Sequence, residues 1–297
     1  MKLFFLAWAM LMAVIRVEAC DICGCSAASA GLGILPRFQN HFIGLRYSSR
    51  GFLSKHPQSI ASPASVSTGN YSTTELWGRW YPAKRIQIYA FVPFHRITDK
   101  ETGSTTSITS GIGDISLLTN FIILKNGDSS CKPFKHALIA GAGVKLPTGN
   151  FSREGNPNMQ TGSGSTDFLF NASYTVRYKK IGLVTEVNYR INNLNAAEYR
   201  YGNRNTVTAK LFYWKKIKKL VILPFANFTI DQSKHDVKKH LYQIHTGGNV
   251  LYTGFGAECY IRKISIGANM QIPISQNIGK GYTTTQKKFT LTFLYNF

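Results

Sequence analysis

From residue 41 onward, apolar and polar side chains alternate. In IGLVTEVNYRIN (181–192), Ile181, Leu183, Val187, Tyr189 and Ile191 fall on one side of an extended strand, and Glu186, Asn188, Arg190 and Asn192 fall on the other. That is the period of two of a strand with one apolar face. STDFLFNASYTVRY (165–178) likewise separates Phe168, Phe170, Ala172, Tyr174, Val176 and Tyr178 from Asp167, Asn171, Ser173, Thr175 and Arg177. Twelve such segments predict strands at 41–49, 73–82, 85–96, 111–124, 136–147, 165–178, 181–192, 204–215, 218–231, 249–261, 263–275 and 286–297. Each meets the roughly nine to eleven residues that a tilted strand needs to cross a hydrocarbon layer. After the first nineteen residues, no apolar run is long enough for a membrane-spanning helix.

The connections sort by length. Long polar stretches at 50–72, 97–110, 148–164, 193–203, 232–248 and 276–285 alternate with short turns at 83–84, 125–135, 179–180, 215–218 and 262–263. All long connections therefore lie at one end of the strands and all short ones at the other. A sandwich has no reason to segregate its loops this way, whereas an even-stranded outer-membrane barrel does. The expected fold is all-β: a closed antiparallel up-and-down transmembrane β-barrel of about twelve strands.

The last segment places Phe289, Leu291, Phe293, Tyr295 and Phe297 on one face, with Thr290, Thr292, Leu294 and Asn296 on the other. It is expected to close the barrel against the first strand with its aromatic face toward lipid. It also resembles the C-terminal signature of outer-membrane proteins that the assembly machinery reads.

Residues 1–19 have the layout of a secretory signal: Lys2, an apolar run from Leu3 to Ile15, then Val17-Glu18-Ala19 before Cys20. The expected organisation is a signal peptide (1–19), a short periplasmic Cys-rich segment (20–40) that reaches into the lumen as a partial plug, and the barrel (41–297). This places the protein in the outer membrane of a Gram-negative bacterium. Lys and Arg total 35 against 14 Asp and Glu. For a chain with cytoplasmic access that excess would suggest nucleic acid. For an exported one, anionic lipid head groups or acidic solutes are the fitting counterparts, and no nucleic-acid partner is expected.

The polar faces of the strands carry Arg46, Arg79, Lys145, Arg177, Arg190 and Lys210 beside Glu75, Asp114, Asp167, Glu186 and Glu258. Six positive and five negative charges nearly cancel, as a confined interior requires, because charges crowded together there must pair to offset desolvation. These eleven residues are the expected lumen-facing ladder, and the positive excess belongs to turns and loops. Aromatic residues cluster near both strand ends: Trp80, Tyr81, Tyr178, Tyr213, Trp214, Tyr260, Tyr295 and Phe297 at the short-turn end, and Tyr47, Phe94, Phe168, Tyr189 and Phe228 toward the other. Two such girdles mark membrane interfaces.

GIGDIS (111–116), VKLPTGN (144–150) and TGSGSTDF (161–168), in that order and spacing, resemble the transporter-like outer-membrane family named for the MetA pathway of phenol degradation. The resemblance implies an outer-membrane barrel that transports small compounds, aromatic ones among them, and brings no catalytic residues. By their own chemistry the glycines permit tight bends and close backbone approach at a barrel rim. GSGST lacks the Lys-Ser/Thr ending and following helix of a phosphate cradle.

CDICGC places Cys20, Cys23 and Cys25 within six residues. Three thiols so close can offer soft ligands to a copper or zinc ion, can form a disulfide in an oxidising compartment, or can include a lipidated Cys20. Cys131 and Cys259 read as ordinary residues. His235, His240 and His245 share one long connection with nearby Asp231 and Asp236 and read as solvated. No nucleophile, base and orienting group fall together, so the chain does not read as an enzyme. The expected function is an outer-membrane channel for passive passage of small solutes, including small aromatic or hydrophobic compounds. The expected partners are membrane lipid, the assembly machinery and the solute. The alternative is a barrel-anchored metal-binding or metal-trafficking protein using the N-terminal cysteines.

Overall fold

The computed structural model describes residues 41–56, 65–103, 105–126 and 134–297. Its wall consists of β1 (Phe42–His56), β2 (Ser65–Ala83), β3 (Ile86–Glu101), β4 (in two pieces, Ser107–Ile112 and Ser116–Asn126), β5 (Phe134–Lys145), β6 (Asp167–Tyr178), β7 (Ile181–Ile191), β8 (Arg204–Tyr213, continued by Lys215–Ile217), β9 (Leu220–Ser233), β10 (Gly248–Ile261), β11 (Ile264–Ile278) and β12 (Thr283–Asn296). Each strand pairs antiparallel with the next along the chain, and β12 pairs with β1 from Phe42↔Asn296 to Ser54↔Thr283. The result is a closed twelve-stranded up-and-down barrel in which every wall strand has two neighbours. Closure matters because an unpaired edge inside hydrocarbon would leave a row of unsatisfied N–H and C=O groups.

Register decides which face looks out. Leu45 lies opposite Phe293, and both are about half exposed on the outside, while the next pair, Arg46 and Thr292, points inward. A slip of one residue would send Arg46 outward and Leu45 into the lumen, so the two contrasting faces pin the pairing. The same alternation leaves Val187 38% and Phe293 46% exposed outside while Glu186 is 1% and Arg190 9% exposed.

Several strands run past their expected limits. β1 and β2 stay paired through Arg50↔Tyr71 to His56↔Ser65, and β2 and β3 through Ser67↔Glu101. Much of what the Ser- and Thr-rich composition suggested as loop at 50–72 and 97–110 is therefore hairpin. Thr is a good strand former, and paired strands satisfy their backbone whatever the polarity of the side chains. The expected strand at 111–124 is interrupted between its two pieces at Gly113–Ile115. The long connections also hold a small sheet of Tyr199–Arg200, Asp236–Lys238 and Leu241–Gln243. Buried Asp236 ties it down by accepting the Gly202 N–H at 2.7 Å and the Tyr199 hydroxyl.

The girdle at the short-turn end is partly rearranged. Trp80, Tyr178, Tyr213, Tyr295 and Phe297 are exposed, whereas Trp214 and Tyr260 pack against a buried cluster of Val184, Phe212, Leu223 and Phe225. Tyr81 also faces inward, accepting a hydrogen bond from Gln87 Nε2 at 2.7 Å. The turns Lys84-Arg85, Lys179-Lys180, Lys218-Lys219 and Arg262-Lys263 are exposed and basic, so much of the positive excess sits at one rim. Lys179, Lys218 and Arg262 adopt φ of 51°, 52° and 53°, the left-handed backbone that tight hairpins demand.

Candidate functional site: the barrel interior

Strand parity carries polar side chains into the interior, and the closed wall makes them share it. Arg46, Glu75, Arg79, Asp114, Lys145, Asp167, Glu186, Arg190 and Lys210 are buried, and Arg177 and Glu258 are half-buried. The structure sorts these eleven ladder residues into local groups. Arg46 donates from Nε to Glu75 Oε1 at 3.0 Å and from its terminal nitrogen to the same oxygen, making a close pair across β1 and β2. Lys210 Nζ lies 3.9 Å from Glu186. Arg177 stacks on Trp214, its Cζ 4.4 Å from the ring centre, and Glu258 accepts the Tyr260 hydroxyl. Amides fill the gaps: Asn120 donates to Asn171 at 3.3 Å, and Asn171 to Asn188 at 2.7 Å. On the far wall Gln271 donates to Asn227 at 3.1 Å and to Thr229 at 2.9 Å.

The three Gly-rich motifs meet in one buried knot. Lys145 Nζ sits 2.7 Å from both Asp114 and Asp167 and also donates to Ser163 Oγ. Two carboxylates against one ammonium leave a charge, and backbone N–H groups and a serine hydroxyl answer it. Asp114 accepts the Gly149 N–H at 3.0 Å and the Ser163 N–H at 2.9 Å, and Asp167 accepts the Asn193 N–H at 3.0 Å and the Ser165 hydroxyl at 2.8 Å. Such bonds stabilise the ionised form. The glycines allow the approach: a Cβ on Gly162 would lie 2.5 Å from the backbone carbon of Gly149, and one on Gly149 would lie 2.7 Å from Gly162 Cα. The motif residues are thus a structural clasp between β4, β5 and β6. Thr148 extends it, accepting the Ile115 N–H at 2.8 Å through its hydroxyl.

Sequence reasoning missed the aromatic lining. Phe42, Trp77, Tyr89, Phe91, Leu118, Leu169 and Leu294 form a buried cluster. The Phe42 and Trp77 rings meet edge to face at 4.7 Å, and Trp77 stacks on Phe91 at 5.9 Å. Arg46 Cζ lies 4.5 Å from the Trp77 ring centre, and Arg79 Cζ lies 5.0 Å from that of Phe42, within range of favourable cation–π contact. In LWGRWY both faces carry large rings, Trp77 and Tyr81 on one and Trp80 on the other, so hydrophobic alternation is silent. The signal that was present is parity: Trp77 shares its face with Glu75 and Arg79.

Beside this cluster lies a small, partly open cleft of about 30 Å³ lined by Leu118, Leu169, Asn171, Asn188, Arg190, Arg204 and Thr206 together with Phe170 and Tyr189. Arg50, Arg204 and Asp231 also face the interior, although the expected ladder omitted them. Arg204 grips Asp231 with two donors, Nε at 2.7 Å and a terminal nitrogen. Arg50 approaches the same carboxylate at 3.9 Å. Cys20, Cys23 and Cys25, with the plug expected from 20–40 and the signal at 1–19, lie outside the described residues, as does Cys131. Among the described residues no group of three His, Cys, Asp or Glu could hold a metal ion, and Cys259 is a free, half-buried thiol.

A closed antiparallel barrel of twelve strands, apolar outside and ionised inside, defines the class of transmembrane β-barrels. Residues 54–283 match the model of the family described as MetA-pathway of phenol degradation, and the chain belongs to that family. Among solved structures it is similar to the COG4313 outer membrane channel from Pseudomonas putida F1, with a TM-score of 0.64 and 15% identity over 96% of this chain and all of that one. The β domain of the Bordetella autotransporter BrkA also aligns, with a TM-score of 0.49 and 10% identity over 87% of this chain and 99% of that one. No curated protein matches the chain.

Proposed function

We propose that the protein is an outer-membrane channel for passive passage of small solutes, small aromatic or hydrophobic compounds among them. The carrying observation is the contrast of faces: an apolar exterior surrounds an interior of paired charges, amides and aromatic rings. A twelve-stranded barrel is wider than one that side chains alone must fill, and narrower than a general porin. The ladder from Arg46 to Glu258 would then act as a filter, and the ring cluster around Trp77 and Phe91 as a surface on which planar solutes stack. Family membership and the similarity to an outer membrane channel support the outer membrane as its site, with lipid and the assembly machinery as partners.

Single-channel recording in planar bilayers tests this. The channel predicts discrete ionic steps that survive conversion of Cys20, Cys23 and Cys25 to Ser. Absence of steps, with stoichiometric copper or zinc binding lost in the triple variant, would favour a barrel that anchors a metal-handling segment instead.

A further inference from the structure

The connection from β5 to β6 is fastened at its root, its middle and its tip. The root is the clasp: the Gly149 and Ser163 N–H groups donate to Asp114 at 3.0 and 2.9 Å, and the Gly162 N–H donates to the Asn150 carbonyl at 2.9 Å. In the middle, Gln160 accepts the Ser152 N–H at 2.9 Å and donates from Nε2 to the Ser152 and Gly155 carbonyls at 3.1 and 3.2 Å. Ser152 to Gln160 is thus a compact loop with its ends together. The tip is one 3-10 turn, Pro157–Met159, capped by the Asn156 side chain, which accepts the Asn158 N–H at 3.0 Å.

The tip is held from both sides of the barrel. Tyr71 on β2 donates its hydroxyl to the Asn158 carbonyl at 2.7 Å, and Tyr201, just ahead of β8, donates to the Pro157 carbonyl at 3.1 Å. β2 and β8 stand six strands apart in the ring of twelve, on opposite walls. Tyr71 shares the inward parity of Glu75. Tyr201 stays near its own wall, because Asn192, just past β7, donates from Nδ2 to the neighbouring Gly202 carbonyl at 2.6 Å, and the Lys234 N–H donates to the Asn203 carbonyl at 2.9 Å. Consecutive carbonyls reached from opposite walls put the tip over the bore and not along the rim. The wall itself does not need this: β5 and β6 pair from Phe134↔Tyr178 to Lys145↔Asp167 without any residue of the loop. Ordering a loop costs conformational entropy, and in a pore the narrowest place and the groups around it decide what passes.

We infer that the 148–164 connection is the size-selecting constriction of the channel, a strap drawn across the long-connection mouth and latched by the Tyr71 hydroxyl, with Tyr201 as its second anchor. This rests on the channel reading and names the element that limits solute size. Both tyrosines are positioning residues, acting through the strap.

The test combines single-channel recording in planar bilayers with liposome swelling by arabinose and raffinose, on the full-length protein. In an excised variant, Gly-Gly replaces residues 153–159. Ser152 and Gln160 already bond side by side, so the ends can be joined while Gly149, Gly162 and Ser163 keep the clasp. The excised variant is expected to show a larger conductance step and faster raffinose swelling relative to arabinose. Tyr71→Phe and Tyr201→Phe should each shift the latched-to-open ratio toward open by about two- to tenfold, the net contribution of one hydrogen bond. That shift is read as longer open sojourns, with the urea midpoint of heat-modifiable gel migration unchanged; a purely structural role for the tyrosines would move the midpoint and leave the sojourns alone. If the excised variant does not fold, the two Phe variants decide. Parent steps and a raffinose-to-arabinose ratio that no variant alters would sink this inference alone. Steps that appear only after excision would support a strap that closes the bore, whereas no steps in the parent or in any folded variant would sink the channel and the constriction with it.

Discussion

Replacing Lys145 by methionine is expected to destabilise the barrel by about 3–5 kcal/mol, the cost of leaving a buried charge without its partner. The effect belongs at the top of that range because two carboxylates, Asp114 and Asp167, each lie 2.7 Å from the same ammonium. Both are buried, so water cannot replace Lys145 without reopening the clasp that joins β4, β5 and β6. The backbone donors at Gly149, Ser163 and Asn193 soften the repulsion and do not remove it. The readout is the urea midpoint of heat-modifiable gel migration. Adding Asp114→Asn and Asp167→Asn to the Met variant should restore most of the loss. A triple variant no more stable than the single would show that shape, and not charge, holds the knot.

Arg46→Met should lower stability by a similar amount, about 3–5 kcal/mol, because Glu75 is 1% exposed and faces Arg46 at 3.0 Å. A second loss adds to it: the guanidinium over Trp77 at 4.5 Å leaves the aromatic cluster, a contact of roughly 0.5–2 kcal/mol. Pairing the change with Glu75→Gln separates the two. The double variant should recover the ionic part and keep the aromatic part, seen as a persistent change in Trp fluorescence. Full recovery would mean that the ring contact contributes nothing. The two sites are fastened to different strand pairs, so their effects should add.

The fold was legible because lipid and lumen impose opposite chemistry on alternate positions. IGLVTEVNYRIN declared both faces outright, and short basic turns such as Lys179-Lys180 and Arg262-Lys263 marked one rim. What was less legible follows from physics that alternation does not record. The Ser- and Thr-rich ends of β1 and β2 pair through His56↔Ser65 because backbone hydrogen bonds need no apolar side chain. Trp77, Phe42 and Phe225 face inward although they are as apolar as the lipid-facing residues, so only their shared parity with Arg79, Arg46 and Asn227 gives them away. The cations Arg50, Arg204 and Lys288 lie toward strand ends or inside presumed loop, where sequence could not say whether they face lumen or solvent. The Gly-rich motifs carried the family resemblance, and the clasp explains their spacing: Gly149 and Gly162 must touch for Asp114 to receive the Ser163 N–H.

The face bearing Leu45, Val187 and Phe293 meets acyl chains while the face bearing Glu186 and Arg190 looks into the bore. Nitroxides placed by cysteine substitution at Val187, Phe293 and Glu186, in a background with the native cysteines changed to Ser and reconstituted in bilayers, measure this directly by power-saturation EPR. Spin labels at Val187 and Phe293 should collide with dissolved oxygen and be shielded from a water-soluble nickel chelate, and the label at Glu186 should show the reverse. Nickel access at Val187 and Phe293 with oxygen-rich, nickel-poor surroundings at Glu186 would contradict the orientation.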